Sequence, residues 1–206
     1  VAAVARHVEA PLVVVLPDAS SAGRLVEELR AWSETERRVL LFPERDALPY
    51  ERLISDAAVA GRRIGCLVSL AQGEHPLIVT TVRALSQATL TPEALAGTMR
   101  PWHPNDRFQL QQTLASWLRL GYEPAALVEE PGTFSRRGGV LDIYPVTADG
   151  PFRIELFGDE IETIRRFDAA TQRSQDEVGT LLVAPARETL PERGPAVAAE
   201  LRDLST

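Results

Sequence analysis

Apolar runs divide the chain into two parts with different periodicities. In the first part, Leu12–Leu16, Val39–Phe42 and Leu77–Thr81 are short and largely apolar. Each run is typical of a strand, and the unbroken apolar character of the first predicts burial on both faces, as in a parallel sheet. Because stretches with helical spacing separate these runs, the first part is predicted to belong to the α/β class.

The stretches between these strands predict helices with recognisable starts. They are expected over residues 1–10, from an N-cap at Asp18, Ser20 or Ser21 through Arg30, after a cap at Ser55 or Asp56, and from Pro92. Side-chain oxygens of Asp and Ser accept hydrogen bonds from the N–H groups of the first helical turn. Proline is tolerated in that turn because its N–H would have no helical partner.

Residues 131–168 carry a different pattern. Short runs of β-branched and aromatic residues, VLDIY and FRIELF, are bounded there by glycine-rich turns. Gly158-Asp159 fits a two-residue hairpin between Phe157 and Glu160, because glycine supplies the positive φ of the first turn position. These residues predict a compact antiparallel sheet.

The residues around this sheet predict one helix and two further strands. The break at residues 101–104 is expected to be a domain boundary. Asp106 or Asn105 would cap a helix that continues through Leu120 and packs on the inner face of the sheet. Strands are predicted at residues 125–129 and 181–185, and another helix is expected from Leu190.

The second face of the FRIELF strand is unusual. Alternation directs Phe152, Ile154 and Leu156 toward a core and Arg153, Glu155 and Phe157 to the other side. In a simple hairpin register Ile164 would lie opposite Arg153 and widen the apolar part of this second face. The face is a solvated surface with one isolated ring, a ring covered by another segment, or a protein-binding patch, since arginine and aromatic residues dominate interface hot spots.

Charge composition excludes two classes of function. The 206 residues carry a formal net charge of −7, which argues against a dedicated nucleic-acid binder, because phosphate binding needs a clustered basic surface. All 22 basic residues are arginine, so the chain lacks the lysine that a P-loop requires. ATP hydrolysis is therefore not expected.

The remaining candidate chemistry is sparse. The single cysteine, Cys66, lies in an apolar helical pattern and is expected to be a buried structural thiol. The three histidines have no metal-ligand spacing. No run approaches the length of a membrane span and no signal peptide opens the chain, so the cytoplasm is the expected compartment. We expect no cofactor, no metal and no membrane partner.

Two pairs of segments resemble a known family. TFSRRGGVLDIYP and FRIELFGDEIETIRRFDAATQRS resemble domain 2 of the UvrB-homology module, which the excision-repair protein UvrB and the transcription-repair coupling factors share; FPERDALPYE and IVTTVRALSQ resemble its domain 1A. The resemblance implies a truncated P-loop-like α/β domain 1A at residues 1–100, an inserted α+β domain 2 with an antiparallel sheet at residues 101–179, and the start of domain 1B at residues 180–206. In the complete module a glycine-rich strand and loop would precede Val1.

The resemblance also implies a partner and a site. Domain 2 docks onto UvrA in both families, and the positions that contact UvrA correspond to Arg137, Arg153, Glu155 and Phe157. A full-length coupling factor would bind RNA polymerase and DNA through other domains and act as an ATP-dependent DNA translocase. The implied function is the recruitment of UvrA in transcription-coupled nucleotide excision repair, without catalysis in these residues.

Two details near this site are open at the sequence level. UvrB has an additional arginine where this chain has Ser135, and the sequence does not decide whether Arg136 replaces it. Gly138 and Gly139 are expected to form a bulge that turns Arg137 to the face opposite the apolar residues of VLDIY.

Other functions remain as alternatives. The stretch from Leu48 to Leu70 is too short for the tyrosine-rich DNA-clamping hairpin of UvrB, which favours a coupling factor over a UvrB fragment. A small α/β enzyme is the third possibility. Asp142, Glu155 and Glu160 supply carboxylates, but no His or Cys accompanies them in a recognisable catalytic arrangement.

Overall fold

A computed structural model describes residues 1–5, 7–32, 37–45 and 57–188, without the side chains of Ala2 and Trp32. The chain forms two compact units, Val1–Ala96 and Gly97–Thr206. Within the described residues, no helix is long and apolar enough to cross a membrane.

The first unit is a three-layer arrangement of helices around a parallel sheet. Its elements are α1 Ala2–Ala5, β1 Leu12–Leu16, α2 Ala19–Trp32, β2 Val39–Phe42, α3 Ala57–Ala71, β3 Leu77–Thr81, α4 Val82–Ser86 and α5 Pro92–Ala96. The strand order is β1-β3-β2 and both pairings are parallel. The three strands predicted from their apolar runs are therefore confirmed.

Burial in this sheet follows the position of each strand. Every residue of the central strand β3 is buried. In β1 the expectation of burial on both faces is wrong, because Val13 and Val15 are exposed. The reason is topological: β1 is an edge strand, and among the described residues only its other face, with Leu12, Val14 and Leu16, packs against the core shared with α2.

The helix starts in this unit follow the expected capping chemistry. The carboxylate of Asp18 accepts hydrogen bonds from the backbone N–H and the hydroxyl of Ser21, both at 2.8 Å, so Asp18 caps α2. Thr91 accepts from the backbone N–H of Ala94 at 3.2 Å, before the short helix that begins at Pro92. The predicted cap at Ser55 or Asp56 lies outside the described residues.

The second unit is built on a six-stranded sheet. Its elements are β4 Arg100–Trp102, α6 Leu110–Arg119, β5 Glu123–Pro124, β6 Thr133–Arg137, β7 Val140–Ile143, β8 Phe152–Phe157, β9 Glu160–Phe167, β10 Ser174–Glu177 and β11 Leu181–Val183. The strand order is β10-β9-β8-β7-β6-β5, and all neighbours are antiparallel except β5 and β6. The chain is thus mixed α/β, with a parallel sheet in one unit and a largely antiparallel sheet in the other.

Helix α6 packs on the inner face of this sheet, as predicted. Successive ring contacts connect Trp102 to Phe108, Phe108 to Trp117 and Trp117 to Phe134 on β6, with centroid distances of 4.8, 6.3 and 5.5 Å. All four rings are buried. Aromatic pairs at these distances add to the burial of apolar area, so this cluster holds the helix against the sheet.

The predicted start of this helix is wrong. The helix begins at Leu110, and the carboxylate of Asp106 accepts a hydrogen bond from the backbone N–H of His103 at 2.8 Å instead of capping the helix. Backbone groups of residues 105–108 bond to β9: Asn105 N–H donates to the carbonyl of Ile161 at 2.8 Å. Because these groups pair with a strand, they are not free to begin a helix.

Three further strands of this unit can be compared with the sequence. The strand expected at residues 125–129 is shorter and earlier, at Glu123–Pro124. The polar strand β10, exposed throughout, has no apolar pattern to predict it. Leu181–Val183 is a strand, but it pairs antiparallel with Arg100–Trp102 and so lies in the second unit. The helix expected from Leu190 lies outside the described residues.

Candidate protein-binding site

The four residues singled out in the sequence share one face of the six-stranded sheet, called the outer face below. Arg137 pairs with Val140, and Val140 pairs with Glu155 on the next strand. Residues paired across strands lie on the same face, and so do residues two apart on one strand. Arg153, Glu155 and Phe157 alternate along β8, so all four lie on the outer face.

The turn before β7 is a hairpin and not the expected bulge. Arg137 ends β6, Val140 begins β7 and the two residues pair directly, so Gly138 and Gly139 form a two-residue loop. Gly138 has a φ of 62°, which glycine adopts without strain. The expected consequence nevertheless holds, because alternation along β6 and β7 still places Arg137 opposite to the buried Leu141.

Phe157 stands at the tip of the next hairpin. It pairs with Glu160 across a two-residue turn in which Gly158 has a φ of 66°, as predicted. Phe157 is 80% exposed, the largest exposed fraction among the large hydrophobic residues described. A ring this exposed contributes little to the core and is available for a contact outside the unit.

The register of the β8–β9 hairpin corrects one expectation. Pairing shifts between Glu155, which faces Thr163, and Leu156, which faces Ile161, so Glu162 is the extra residue of a β-bulge. Arg153 consequently lies opposite Arg165, and Ile164 is buried on the inner face. Ile164 therefore does not enlarge the apolar part of the outer face.

A buried carboxylate organises the arginines of the outer face. Asp142, on β7, is 1% exposed at its side chain and accepts three guanidinium hydrogen bonds. Arg153 donates from Nε to Oδ1 at 2.7 Å and from Nη2 to Oδ2 at 2.9 Å. Arg137 donates from Nη2 to Oδ2 at 2.7 Å. The carboxylate thus connects β6 and β8 across β7.

Arg153 is more enclosed than alternation alone predicts. Its side chain is only 15% exposed, and its guanidinium lies 4.8 Å from the centre of the Phe167 ring. The hydrogen bonds that Arg153 donates to the Asp142 carboxylate raise the pKa of the Arg153 guanidinium. Since Asp142 already takes the bidentate fork of Arg153, that fork is not available to a partner carboxylate.

Arg137 and Glu155 keep more of their polar surface accessible. The Arg137 side chain is 52% exposed and uses one nitrogen, Nη2, for Asp142. Glu155 accepts a hydrogen bond from the hydroxyl of Thr163 at 3.0 Å and is half-buried. The arrangement supports polar recognition around an apolar ring.

Arg107 belongs to the same face, although the sequence analysis did not identify it. It forms an antiparallel bridge with Glu160, which is itself the partner of Phe157, so the three side chains form one row. Arg107 and Glu160 are both exposed. No local signal in the sequence indicates this neighbour, because it depends on residues 105–108 pairing with β9.

The structure also shows where Ser135 and Arg136 lie. Ser135 is buried on the outer face, and its hydroxyl has no hydrogen-bond partner among the described residues. Arg136 is exposed but points to the opposite face, where its Nε donates to the carbonyl of Gly138 at 3.2 Å. Arg136 therefore does not share the outer face with Arg137.

Comparison with known proteins identifies relatives of both units. Residues 101–188 match the family described as the UvrB interaction domain. The chain is 40% identical over 190 residues to the transcription-repair-coupling factor of Myxococcus xanthus, covering 88% of this chain and 16% of that protein. It is 36% identical over 193 residues to the one from Mycobacterium tuberculosis, covering 88% and 15%. Identity to the Bacillus subtilis protein is 29% over 188 residues, covering 91% and 16%.

The chain spans about one sixth of the length of these curated relatives. Among the described residues there is no group of three or more His, Cys, Asp or Glu side chains that could hold a metal ion. What the outer face offers is the exposed ring of Phe157, the guanidinium groups of Arg107 and Arg137, and the carboxylates of Glu155 and Glu160.

Proposed function

Since the chain is homologous to one segment of the transcription-repair-coupling factors, we propose that its UvrB interaction domain recruits UvrA through the outer face. The resemblance indicated by the sequence motifs is confirmed by these relatives. The proposed role is association without catalysis, in transcription-coupled nucleotide excision repair. The first unit, with its parallel β1-β3-β2 sheet, is the counterpart of the P-loop-like domain 1A in this proposal.

The observation that carries the proposal is the exposed Phe157 beside positioned charges on one rigid sheet. Phe157 is 80% exposed, and Arg137 and Glu155 lie on the same face. Aromatic residues and arginine are the most frequent hot spots of protein interfaces. Because strands hold all three residues, the partner meets a preorganised surface and the cost of ordering it on binding is small.

Each residue has a distinct expected role. Phe157 would enter an apolar pocket of UvrA and supply dry contact area at the centre of the interface. Arg137 would donate its unengaged nitrogens to an acidic residue of UvrA, in a charge-assisted hydrogen bond. Glu155 would accept from a basic or N–H group. Arg153 would be the enclosed counter-charge of Asp142 and is not expected to hold a partner carboxylate directly.

The other activities of a full-length coupling factor are assigned in this proposal to regions outside this chain. RNA polymerase and DNA would be bound by regions outside this chain, and translocation on DNA would need a motor that these residues do not supply. Purified chain incubated with ATP and DNA is therefore expected to show no turnover, because it has no P-loop lysine.

The test is a titration of UvrA with the chain and matched variants. Phe157→Ala and Arg137→Ala are each expected to weaken binding by about tenfold to a hundredfold, the usual effect of truncating a central hot spot. Arg136→Ala is the matched control, since Arg136 is the adjacent exposed arginine of the same strand and points away. Equal affinities for all three variants and the wild type would refute the outer face as the docking site.

A further inference from the structure

We infer that Asp142 is the positioning residue of the proposed interface, because its buried carboxylate fixes Arg137 in the orientation that a partner meets. This inference rests on the proposed function. Asp142 itself is 1% exposed, so it cannot contact a partner protein. Its influence must pass through the two arginines that it holds.

The geometry gives the two arginines unequal roles. Arg153 covers Asp142 with a bidentate pair and also donates from Nη1 to the carbonyl of Gln172 and the hydroxyl of Ser174, each at 3.3 Å. Arg153 is thus the enclosed counter-charge of Asp142. Arg137 shares only Oδ2, at 2.7 Å, and remains 52% exposed. Arg137 is therefore the member of the pair that is both anchored and accessible.

Anchoring matters because a free arginine side chain samples many rotamers. Immobilising such a chain on binding costs free energy, and a contact that is already formed in the unbound protein removes part of that cost. Charge-assisted bonds to a desolvated carboxylate are stronger than exposed ion pairs, so the anchor is strong enough to select one orientation. The expected effect of losing the anchor is about a threefold to tenfold loss of affinity.

The two arginine partners of Asp142 also explain how a carboxylate is accommodated in an apolar strand. The residues on either side of it, Leu141 and Ile143, are fully buried on the inner face. A buried carboxylate is costly unless its oxygens are paired. The pairing with two arginines offsets part of that cost and places a cationic edge on the outer face.

The first measurement uses the free wild-type chain and needs no partner. NMR relaxation of the arginine Nε–Hε groups reports the order of each guanidinium. Arg137 is expected to be nearly as ordered as Arg153 and clearly more ordered than the exposed Arg173. Arg137 as mobile as Arg173 would overturn the inference, whatever UvrA does.

The second measurement is a double-mutant cycle with UvrA. Asp142→Asn is expected to weaken binding by about threefold to tenfold in the wild type, and to have no further effect when Arg137 is already alanine. If the two losses instead add independently, Asp142 acts through the general fold and the inference fails. The folded state of each variant is checked first by thermal unfolding.

The two measurements separate the possible failures. Should the wild-type chain fail to bind UvrA, the proposed function is wrong, and the order of Arg137 still decides whether Asp142 positions it. Should Asp142→Asn not fold, the relaxation measurement on the wild type decides alone. An ordered Arg137 together with non-additive losses supports the inference.

Discussion

The reactivity of a single buried side chain can be measured directly, and Cys66 is the simplest case. It is the single cysteine of the chain and is buried in α3, as its apolar surroundings predicted. Desolvation raises the pKa of the Cys66 thiol to about 12. Since the thiolate is the reactive form, burial and a raised pKa both suppress reactivity.

We predict that Cys66 reacts with a thiol reagent at least about a hundredfold more slowly in the folded chain than in denaturant.

The raised pKa of Cys66 also sets the direction in which stability changes with pH. Between the ordinary thiol pKa and about 12, the unfolded chain loses the proton and the folded chain keeps it, so stability falls as pH rises. Labelling kinetics and denaturation at pH 8 and 10 measure both. Fast labelling of native protein would contradict the burial.

Tyr122 offers a second prediction at this scale. Its ring is buried, its hydroxyl donates to the carbonyl of Ala184 at 2.8 Å, and burial raises its pKa. Tyr122→Phe removes only the hydroxyl and leaves that carbonyl without this donor. We expect a loss of about 1–2 kcal/mol in the free energy of unfolding, measured by chemical denaturation.

The chain contains a matched control for this substitution. The hydroxyl of Tyr144 donates to the carbonyl of Asp149 at 3.4 Å near the surface, where water can replace it. Tyr144→Phe should therefore change stability by less than about 0.5 kcal/mol. A comparable loss of unfolding free energy in both variants would show that the buried hydrogen bond of Tyr122 contributes no more to stability than the exposed one of Tyr144.

At the scale of elements, the local apolar pattern predicted the bounds of several strands, but it did not predict which other segments pair with them. The runs Leu12–Leu16, Val39–Phe42, Leu77–Thr81 and Phe152–Phe157 are strands with the predicted bounds. The start of α6 could not be predicted, because the backbone of residues 105–108 pairs with β9, which is distant in sequence. Capping residues such as Asp106 indicate a helix only where no strand competes for the same groups.

The same long-range pairing limited what could be predicted of the outer face. Alternation placed Arg153, Glu155 and Phe157 on one side correctly, since it needs only a single strand. The enclosure of Arg153 depends on Asp142 and on the loop that carries Gln172, and neither follows from the period of β8. An aspartate within an apolar strand was the available signal, because such a residue needs a buried partner.

The pairing of residues 105–108 with β9 leads to a prediction for Arg107. It stands in the row of Glu160 and Phe157, so it would lie beside the pocket that receives the ring. We expect Arg107→Ala to weaken UvrA binding by about threefold to tenfold, with little change in stability because the side chain is exposed. Arg173→Ala, at another exposed arginine, is the control and should bind as the wild type does. Equal binding by both variants would confine the interface to β6 and β8.

At the scale of the whole molecule, net charge is a poor guide to the binding surface. The chain carries −7, yet its outer face displays Arg107 and Arg137 around an exposed ring. Acidic residues accompany these arginines on the same face, since Glu160 pairs with Phe157 and Glu177 pairs with Arg165, the cross-strand partner of Arg153. Net charge describes the average over the whole chain, but local arrangement decides which partner a surface fits.

The contacts that build the outer face are contained in one unit, which allows it to be tested separately. The strand pair β4–β11, the aromatic cluster from Trp102 to Phe134 and the Asp142 network all lie within residues 97–188. A segment of this size buries enough surface to fold alone. We predict that residues 97–188 unfold cooperatively and bind UvrA within about threefold of the whole chain. Circular dichroism and the titration described above measure both; a folded segment that no longer binds would place essential contacts in the remainder of the chain.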